Sequence, residues 1–206
     1  MTKLVKPVID SAWLLRWWYR HQAQWLNREA DAIRNGLLQD LFAVRRQLEL
    51  LPGDGGLAAV EHLYQSLETL GNRLSSPYLH DSLTLAIQQT LLDWPPQVAT
   101  RAELPTQWPT EPVEHTMLLL SVLKHLGQAL AAQPSLPQGC VVSLAEYSDG
   151  KRLTVSVNYE IAVPLALLDL NQSETWMAYL TTFGLFSHGQ ASSTHETATL
   201  RWIFDW

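Results

Sequence analysis

The stretch from Glu29 to Leu51, EADAIRNGLLQDLFAVRRQLELL, decides the fold expected for this chain. Its apolar residues follow one another at alternating steps of three and four: Ala30, Ile33, Leu37, Leu41, Val44, Leu48 and Leu51. This heptad spacing is typical of a helix that buries one stripe of its surface against a partner helix. The stretch therefore predicts a helix whose apolar seam needs a second helix beside it.

We expect this helix to run from Val8 to Leu51. Pro7 fits a first helical turn, because its missing N–H would have no partner there. The only interior glycine is Gly36, and the segment from Pro52 to Gly56, PGDGG, ends the helix. A compact monomer of 206 residues cannot cover so long a helix, so a homodimer is expected.

A second helix with its own heptad series is predicted after the turn. The series consists of Val60, Leu63, Leu67, Leu70 and Leu74. Two antiparallel helices would form a hairpin, and two hairpins would form a dimeric four-helix bundle. A shorter helix is predicted from Ser82 to Trp94. We therefore expect a helical dimerisation domain over residues 1–96 and a second domain over residues 97–206.

The second domain is predicted to have an α+β fold, with helices against one face of a mostly antiparallel sheet. The predicted helices are Glu111 to about Ala132, capped by Thr110, and about Gln172 to Phe186, capped by Asn171. The predicted strands are Cys140 to Tyr147, Arg152 to Glu160 and Ala198 to Phe204, with a polar loop from Ser187 to Thr197. The dipeptide Asp149-Gly150 indicates a hairpin between the first two strands.

Composition excludes several classes of function. The formal charge is −6, and no basic run is interleaved with aromatic residues, so a nucleic-acid partner is not expected. No apolar run approaches the roughly 20 residues that cross a bilayer. The N-terminus lacks the features of a signal peptide, so a cytoplasmic protein is expected. The single Cys140 and the seven scattered histidines predict no metal site.

Three segments resemble sensor histidine kinases of the subfamily that pairs with NarL-type response regulators. The segment from Ile33 to Leu41, IRNGLLQDL, resembles their phosphoacceptor box, R-E-L-H-D-x-L-x-Q-x-L. Arg73 to Leu83 is similar to the family's junction after the hairpin, and Val141 to Val157 to its strand pair with an Asp-Gly turn. The resemblance implies a dimerisation hairpin, a Bergerat (GHKL) ATPase-like domain and a role in two-component signalling.

The phosphoacceptor box departs from the family at its reactive positions. Arg34 stands where the resemblance places the phosphoacceptor histidine, and Asn35 stands at the adjacent acid. Autophosphorylation needs a neutral imidazole nitrogen as nucleophile and an acid that orients it. Arg34 is always protonated and has no lone pair, and Asn35 cannot act as a base. We therefore expect no autophosphorylation at this position.

The nucleotide-binding positions implied by the resemblance are also altered. Ser121 and His125 take the places of the family's E-x-x-x-N pattern for Mg²⁺, and Tyr159 and Ile161 fall at the ends of its adenine-binding D-x-G. The glycine-rich lid, which cradles phosphates through backbone N–H groups, is reduced to isolated glycines. We therefore expect that ATP and Mg²⁺ binding is lost and that the protein has no cofactor.

The leading hypothesis is a non-catalytic pseudokinase dimer that binds a response regulator or a histidine kinase. Its candidate partner-binding residues are Arg34, Leu38 and Arg45, although the simplest interpretation of the arginines is a solvated helix face. A second hypothesis is a histidine phosphotransferase that uses His62, which flanks the seam of the second helix, as an orphan phosphoacceptor. The third is an active ATP-dependent sensor histidine kinase.

Overall fold

The chain folds as a helical hairpin followed by an α+β sandwich. The computed structural model describes residues 11–50, 56–74, 76–148 and 150–206. It divides into two compact units, Met1–Pro77 and Tyr78–Trp206. The division falls before the short helix Leu83–Leu92, because this helix packs against the long helix Val113–Ala131 of the second unit. The boundary expected at residue 97 had placed the short helix with the hairpin.

The first helix of the hairpin is continuous, but it contains one turn of π-helix. It consists of α1, Ser11–Ala32, the π segment Ile33–Leu37, and α2, Leu38–Glu49. The predicted helix is thus confirmed between Ser11 and Glu49, and its predicted ends, Val8 and Leu51, lie outside the described residues. The π turn coincides with the segment that resembles the phosphoacceptor box.

The π segment displaces the predicted seam by one residue. Ala30 and Ile33 are buried, as the heptad predicts, but the next buried side chain is Leu38, and Leu37 is 50% exposed. A π turn accommodates one extra residue, which rotates the following helix by about 100° relative to an uninterrupted α-helix. Within a single chain, Leu37 therefore faces away from the second helix of the hairpin.

The second helix of the hairpin, α3, spans Leu57–Leu74 and runs antiparallel to the first. Gly71 lies against Ile33, and Gly56 lies against Leu48 near the turn. A Cβ at Gly71 would lie 3.5 Å from Ile33 Cγ2, an ordinary van der Waals distance, so the two helices are in contact at this point. The predicted antiparallel hairpin is confirmed.

The second unit contains a five-stranded sheet with helices packed on it. The helices are α4, Leu83–Leu92, α5, Val113–Ala131, α6, Leu165–Leu170, and α7, Glu174–Ser187. The strands are β1, Thr100–Glu103, β2, Gly139–Tyr147, β3, Gly150–Asn158, β4, Gln190–His195, and β5, Thr199–Asp205. Their order in the sheet is β1-β2-β3-β5-β4, with β1 parallel to β2 and the other pairs antiparallel. The predicted α+β class is confirmed.

The segment Ser187 to Thr197, predicted as a polar loop, contains the edge strand β4. Its residues are mostly small and polar, and five of the six are exposed. An edge strand pairs through its backbone on one side only and has no need of buried apolar residues, so it leaves no alternating pattern in the sequence. The short edge strand β1 was missed for the same reason.

Two predicted helix caps are replaced by neighbouring residues. Pro112, not Thr110, is the N-cap of α5, and it makes no side-chain cap. Ser173, not Asn171, caps α7, and its Oγ accepts a hydrogen bond from Trp176 N. Asn171 instead accepts the indole N–H of Trp202 at 2.8 Å.

The hydrophobic core of the second unit lies between the inner face of the sheet and helices α5 and α7. Trp176 of α7 contacts Trp202 and Phe204 edge-on, and Phe183 contacts Phe204 in the same way. All four of these aromatic side chains are fully buried. None of the described helices is long and apolar enough to span a membrane.

Candidate functional site

Arg34, at the phosphoacceptor-like position, forms hydrogen bonds between the two helices of the hairpin. Its Nη2 donates to the backbone carbonyl of Gly71 at 3.2 Å and lies 3.5 Å from Asn72 Oδ1. Its Nη1 donates to Asp31 Oδ1 at 3.3 Å. The guanidinium thus bridges one turn of its own helix and α3, while the adjacent Asn35 is exposed.

The other two candidate partner-binding residues also have positions within the hairpin. Leu38 is only 8% exposed, because the π turn rotates it inward, and this leaves little of its side chain open to a partner. Arg45 is about two-fifths exposed and forms ion pairs with Glu49 at 3.0 Å and with Glu61 of α3 at 2.9 Å. Arg45 is therefore a second bridge across the hairpin.

His62 lies on the solvent-facing side of α3. It lines a shallow hollow of about 310 Å³ with Gln65, Ser66 and Thr69. Its sequence neighbour Glu61 is paired with Arg45 and points across the hairpin. The side chain of His62 is accessible, but the nearest acid in sequence is directed elsewhere.

Ser121 and His125 of α5 make contacts that differ from those of metal-binding residues. Ser121 Oγ donates to the carbonyl of Met117 in the same helix at 2.8 Å. The ring of His125 stacks on Trp176 at a centroid distance of 6.3 Å and an interplanar angle of 23°, and it lies 5.5 Å from the ring of Tyr179. Burial lowers the pKa of His125, so its imidazole is neutral near pH 7. This position is filled by aromatic packing between α5 and α7.

Tyr159 and Ile161 point in different directions after β3. Tyr159 is 4% exposed, and Ile161 is 81% exposed. Burial, with a smaller contribution from Cys140, raises the pKa of Tyr159 to about 12. A neutral phenol cannot supply the carboxylate charge that the resemblance assigns to this position. The structure does not bring Tyr159 and Ile161 together as a pair.

A buried carboxylate cluster at the start of α5 was not predicted. Glu111 Oε1 accepts hydrogen bonds from Trp108 Nε1 at 2.9 Å and from Lys151 Nζ at 2.6 Å, and Oε2 accepts from Trp206 Nε1 at 3.2 Å. Burial alone would raise the pKa of Glu111, but the contacts with His115, Lys151 and Trp108 lower it to about 2. Only the local spacing of Trp108, Glu111 and His115 was visible in the sequence.

An open cleft of about 560 Å³ lies beside this cluster, at the end of the sheet where β3 begins and β5 ends. Arg152 in this cleft pairs with Asp205, with Nε–Oδ1 and Nη2–Oδ2 distances of 2.5 and 3.1 Å, and lies 5.3 Å from the ring centre of Tyr147. Lys151 pairs with Glu111. Because both cations are neutralised by carboxylates, the cleft has no excess positive charge to attract a phosphate.

Among residues 11–50, 56–74, 76–148 and 150–206, no group of three or more His, Cys, Asp or Glu side chains is placed to hold a metal ion.

Comparison with known proteins identified similar solved structures only. No family model and no curated protein matches the chain. The histidine kinase AdeS of Acinetobacter baumannii is 11% identical, with 82% of this chain and 92% of that chain covered and a TM-score of 0.43. The histidine kinase domain of the blue-light activated kinase EL346 of Erythrobacter litoralis is 14% identical, with 90% and 93% covered and a TM-score of 0.46.

A third similar structure is a bacterial phosphotransferase, which is 17% identical, with 96% of this chain and 98% of that chain covered and a TM-score of 0.45. At these identities, and with TM-scores below 0.5, the similarities carry no argument about function.

Proposed function

We propose that this protein is a non-catalytic, histidine-kinase-like homodimer of two-component signalling that binds a response regulator or a histidine kinase. The observation that carries the proposal is the role of Arg34. At the position where the resemblance requires a nucleophile, the side chain is a guanidinium that hydrogen-bonds to Gly71 and Asn72 across the hairpin. It has no lone pair for attack on a phosphoryl group.

The contacts at the nucleotide-binding positions support the loss of ATP binding. The ring of His125 is engaged by Trp176 and Tyr179, and Tyr159 lies in the core. Tyr159 stands at the aspartate position of the adenine-binding pattern and supplies no carboxylate there, and Ser121 hydrogen-bonds within its own helix. Binding of the purine and of Mg²⁺ would require these side chains to be replaced as well as moved.

An exposed apolar face on the hairpin supports the homodimer. Leu37 and Val44 are 50% and 43% exposed, and Leu63 and Leu70 of α3 are 48% and 46% exposed. Both pairs are spaced by seven residues, so each forms a stripe along its helix. Successive residues of an α-helix are rotated by about 100° about its axis. This rotation places the two stripes on one side of the hairpin and the Arg45–Glu61 ion pair on the other. A second hairpin would cover them.

Labelling experiments test the proposed absence of kinase activity. The intact protein is incubated with γ-labelled ATP and Mg²⁺, and an active sensor histidine kinase serves as the positive control. We expect no label on the protein. Acid-labile label transferred from ATP would overturn the proposal and support an active kinase.

The oligomeric state tests the proposed dimer. Light scattering at micromolar concentration is expected to give a dimer for the native chain and a monomer for Leu63→Glu combined with Leu70→Glu, because charges would be buried in the interface. Gln65→Glu is the matched control, since Gln65 lies on the exposed hollow of α3. A native monomer, or a dimer that tolerates both glutamates, would contradict the bundle.

A pull-down tests the proposed partner surface. Arg45 remains partly exposed while it bridges the hairpin, and a response regulator or kinase is proposed to dock around it. Arg45→Ala is expected to reduce partner recovery more than Arg46→Ala, which removes a more exposed arginine from the same helix. Equal recovery would exclude this surface.

A histidine phosphotransferase is the second candidate function. It is favoured by the position of His62, whose side chain is accessible and lines a hollow on α3. Incubation with a phosphorylated receiver domain distinguishes the two functions. Label that reaches the native chain but not the His62→Gln variant would establish a relay. No label on either chain supports the binding protein.

A further inference from the structure

His115 connects the start of α5 to the end of α7. Its Nε2 lies 3.0 Å from the backbone carbonyl of Phe186, in the last turn of α7. Because a carbonyl oxygen only accepts hydrogen bonds, Nε2 must carry a hydrogen. The other ring nitrogen, Nδ1, is buried without a hydrogen bond and lies 3.9 Å from Glu111 Oε2.

The charges that face His115 come from several elements. Glu111 precedes α5, and the buried Glu114 lies on α5 beside His115. From β3, Lys151 binds the other oxygen of Glu111, at 2.6 Å. From the end of β5, the indole of Trp206 hydrogen-bonds to Glu111. The last turn of α7 presents a carbonyl, which carries the negative end of the helix dipole. Each group that acts directly on the imidazole favours a positive charge.

We propose that His115 is a proton-dependent clamp between α5 and α7. In its imidazolium form it bridges the Glu111 carboxylate and the Phe186 carbonyl. When the proton on Nδ1 leaves, the neutral ring presents a lone pair to the carboxylate, while Nε2 still donates to the Phe186 carbonyl in a hydrogen bond that has lost its charge assistance. The hold of His115 on the last turn of α7 is thereby weakened. The element that responds is the end of α7 together with the connection to β4.

The direction of the pH response follows from the balance of forces on the ring. Burial lowers the pKa of His115, but Glu111, the Phe186 carbonyl and Glu114 together raise it above its ordinary value of about 6.5. The stabilisation is therefore complete below about pH 6.5 and is lost as the pH rises through the folded-state pKa. The clamp is tight in mildly acidic solution and loosens in mildly alkaline solution.

The short connection between α7 and β4 explains why loosening of the last turn of α7 would also affect β4. His188 adopts a left-handed backbone conformation with φ of 57°, and Gly189 leads directly into β4. The hydroxyl of Ser187 donates to Phe183 and accepts from Gly189 N. These local contacts depend on an ordered last turn of α7.

Amide hydrogen exchange on the full chain tests the clamp. Exchange is measured at about pH 6 and about pH 8.5 and corrected for the intrinsic rate, a range that spans histidine titration. We expect the opening constant of the last turn of α7 and of β4 to rise by up to about tenfold per pH unit between about 6.5 and the folded-state pKa. Amides in the middle of β2 serve as the internal reference and should not show this rise.

The variant His115→Gln separates the effect of the imidazolium charge from that of the hydrogen bond to Phe186. Its amide can still donate to Phe186 but does not titrate, so exchange at the end of α7 should lose its pH dependence. His195→Gln, at an exposed position of β4, is the control and should behave like the native chain. A variant that keeps the native pH dependence would overturn the clamp.

The titration of His115 in the native chain is followed by NMR of its ring nitrogens, and it decides the question if the variant does not fold. A pKa above about 6.5 together with loss of protection in the same pH window supports the clamp. A pKa at or below that value, or protection that does not follow the titration, overturns it.

Discussion

Arg34 contributes to the stability of the hairpin through hydrogen bonds that a histidine could not make. Replacing it by alanine removes a charged donor from the Gly71 carbonyl and from Asn72. We expect Arg34→Ala to lower the free energy of unfolding by about 1–2 kcal/mol, as for hydrogen bonds from charged groups. Urea unfolding measures the change. Arg46→Ala, at a largely exposed position, should cost less than about 0.5 kcal/mol, and an equal loss would contradict the role of Arg34.

Glu111 should make the second unit sensitive to acid. Its pKa is about 2 in the folded protein and about 4.3 in the unfolded chain, so its contribution is present above about pH 4.3 and is lost as the pH falls towards 2. In urea unfolding, the native chain should lose up to about 3 kcal/mol in this interval through this group. Glu111→Gln should show a smaller acid-induced loss, and Glu160→Gln, at an exposed position, should retain the native pH profile.

Replacement by alanine should have opposite effects on stability at two glycines, Gly127 and Gly36. At Gly127 of α5, a Cβ would lie 2.8 Å from the indole of Trp94, whereas at Gly36 it would meet nothing within 4 Å. Gly127→Ala should therefore destabilise the protein by about 1–3 kcal/mol through overpacking. Gly36→Ala should be neutral or stabilising by up to about 1 kcal/mol. Thermal unfolding of the two variants measures both effects, and a stabilised Gly127→Ala would refute the close contact.

The π segment is the element whose removal should be tolerated. Buried residues are five positions apart across it, at Ile33 and Leu38, whereas an α-helix would place them three or four apart. Deletion of Gly36 should convert the turn to α-helix and keep both buried faces in place. Deletion of Ala43, inside α2, should rotate the rest of that helix away from α3. Circular dichroism and urea unfolding should show a stable hairpin for the first deletion and a weakened hairpin for the second.

Elements with buried faces could be predicted from the sequence, and elements without them could not. The alternating apolar residues of β3, such as Leu153, Val155 and Val157, specify a strand with one buried face, and all three are buried. The strand β4 carries no such pattern, because its pairing is supplied by the backbone of β5. The π turn was not predicted, because one added residue leaves the local composition unchanged.

At the scale of the molecule, dimerisation predicts a stability that depends on concentration. If two hairpins associate through Leu63 and Leu70, the melting temperature of the native chain should rise with protein concentration. The variant that carries Leu63→Glu and Leu70→Glu should melt at a lower temperature that is independent of concentration. Calorimetry over a hundredfold range, about 1 to 100 μM, measures the difference. An unchanged native melting temperature would argue against association.

The candidate site could be predicted only where local sequence specified it. Arg34, Asn35 and His125 were located by the resemblance of short local segments to the phosphoacceptor box and to the E-x-x-x-N pattern. The Glu111 cluster joins residues from the ends of three elements, with Lys151 and Trp206 distant in the chain. Such a cluster depends on the pairing of β3 and β5 at one end of the sheet, which periodicity alone does not reveal.

The two edge strands of the sheet in the second unit differ in charge, and this should make them differ in their tendency to aggregate. β1 carries the charged pair Arg101 and Glu103, whereas β4 has no acidic or basic side chain other than His195. An uncharged edge accepts a further strand more readily than a charged one, so concentrated samples should begin to precipitate through β4. Ser193→Lys should raise the concentration at which turbidity appears while leaving the melting temperature nearly unchanged. Thr154→Lys, on the interior strand β3, should not raise the concentration at which turbidity appears.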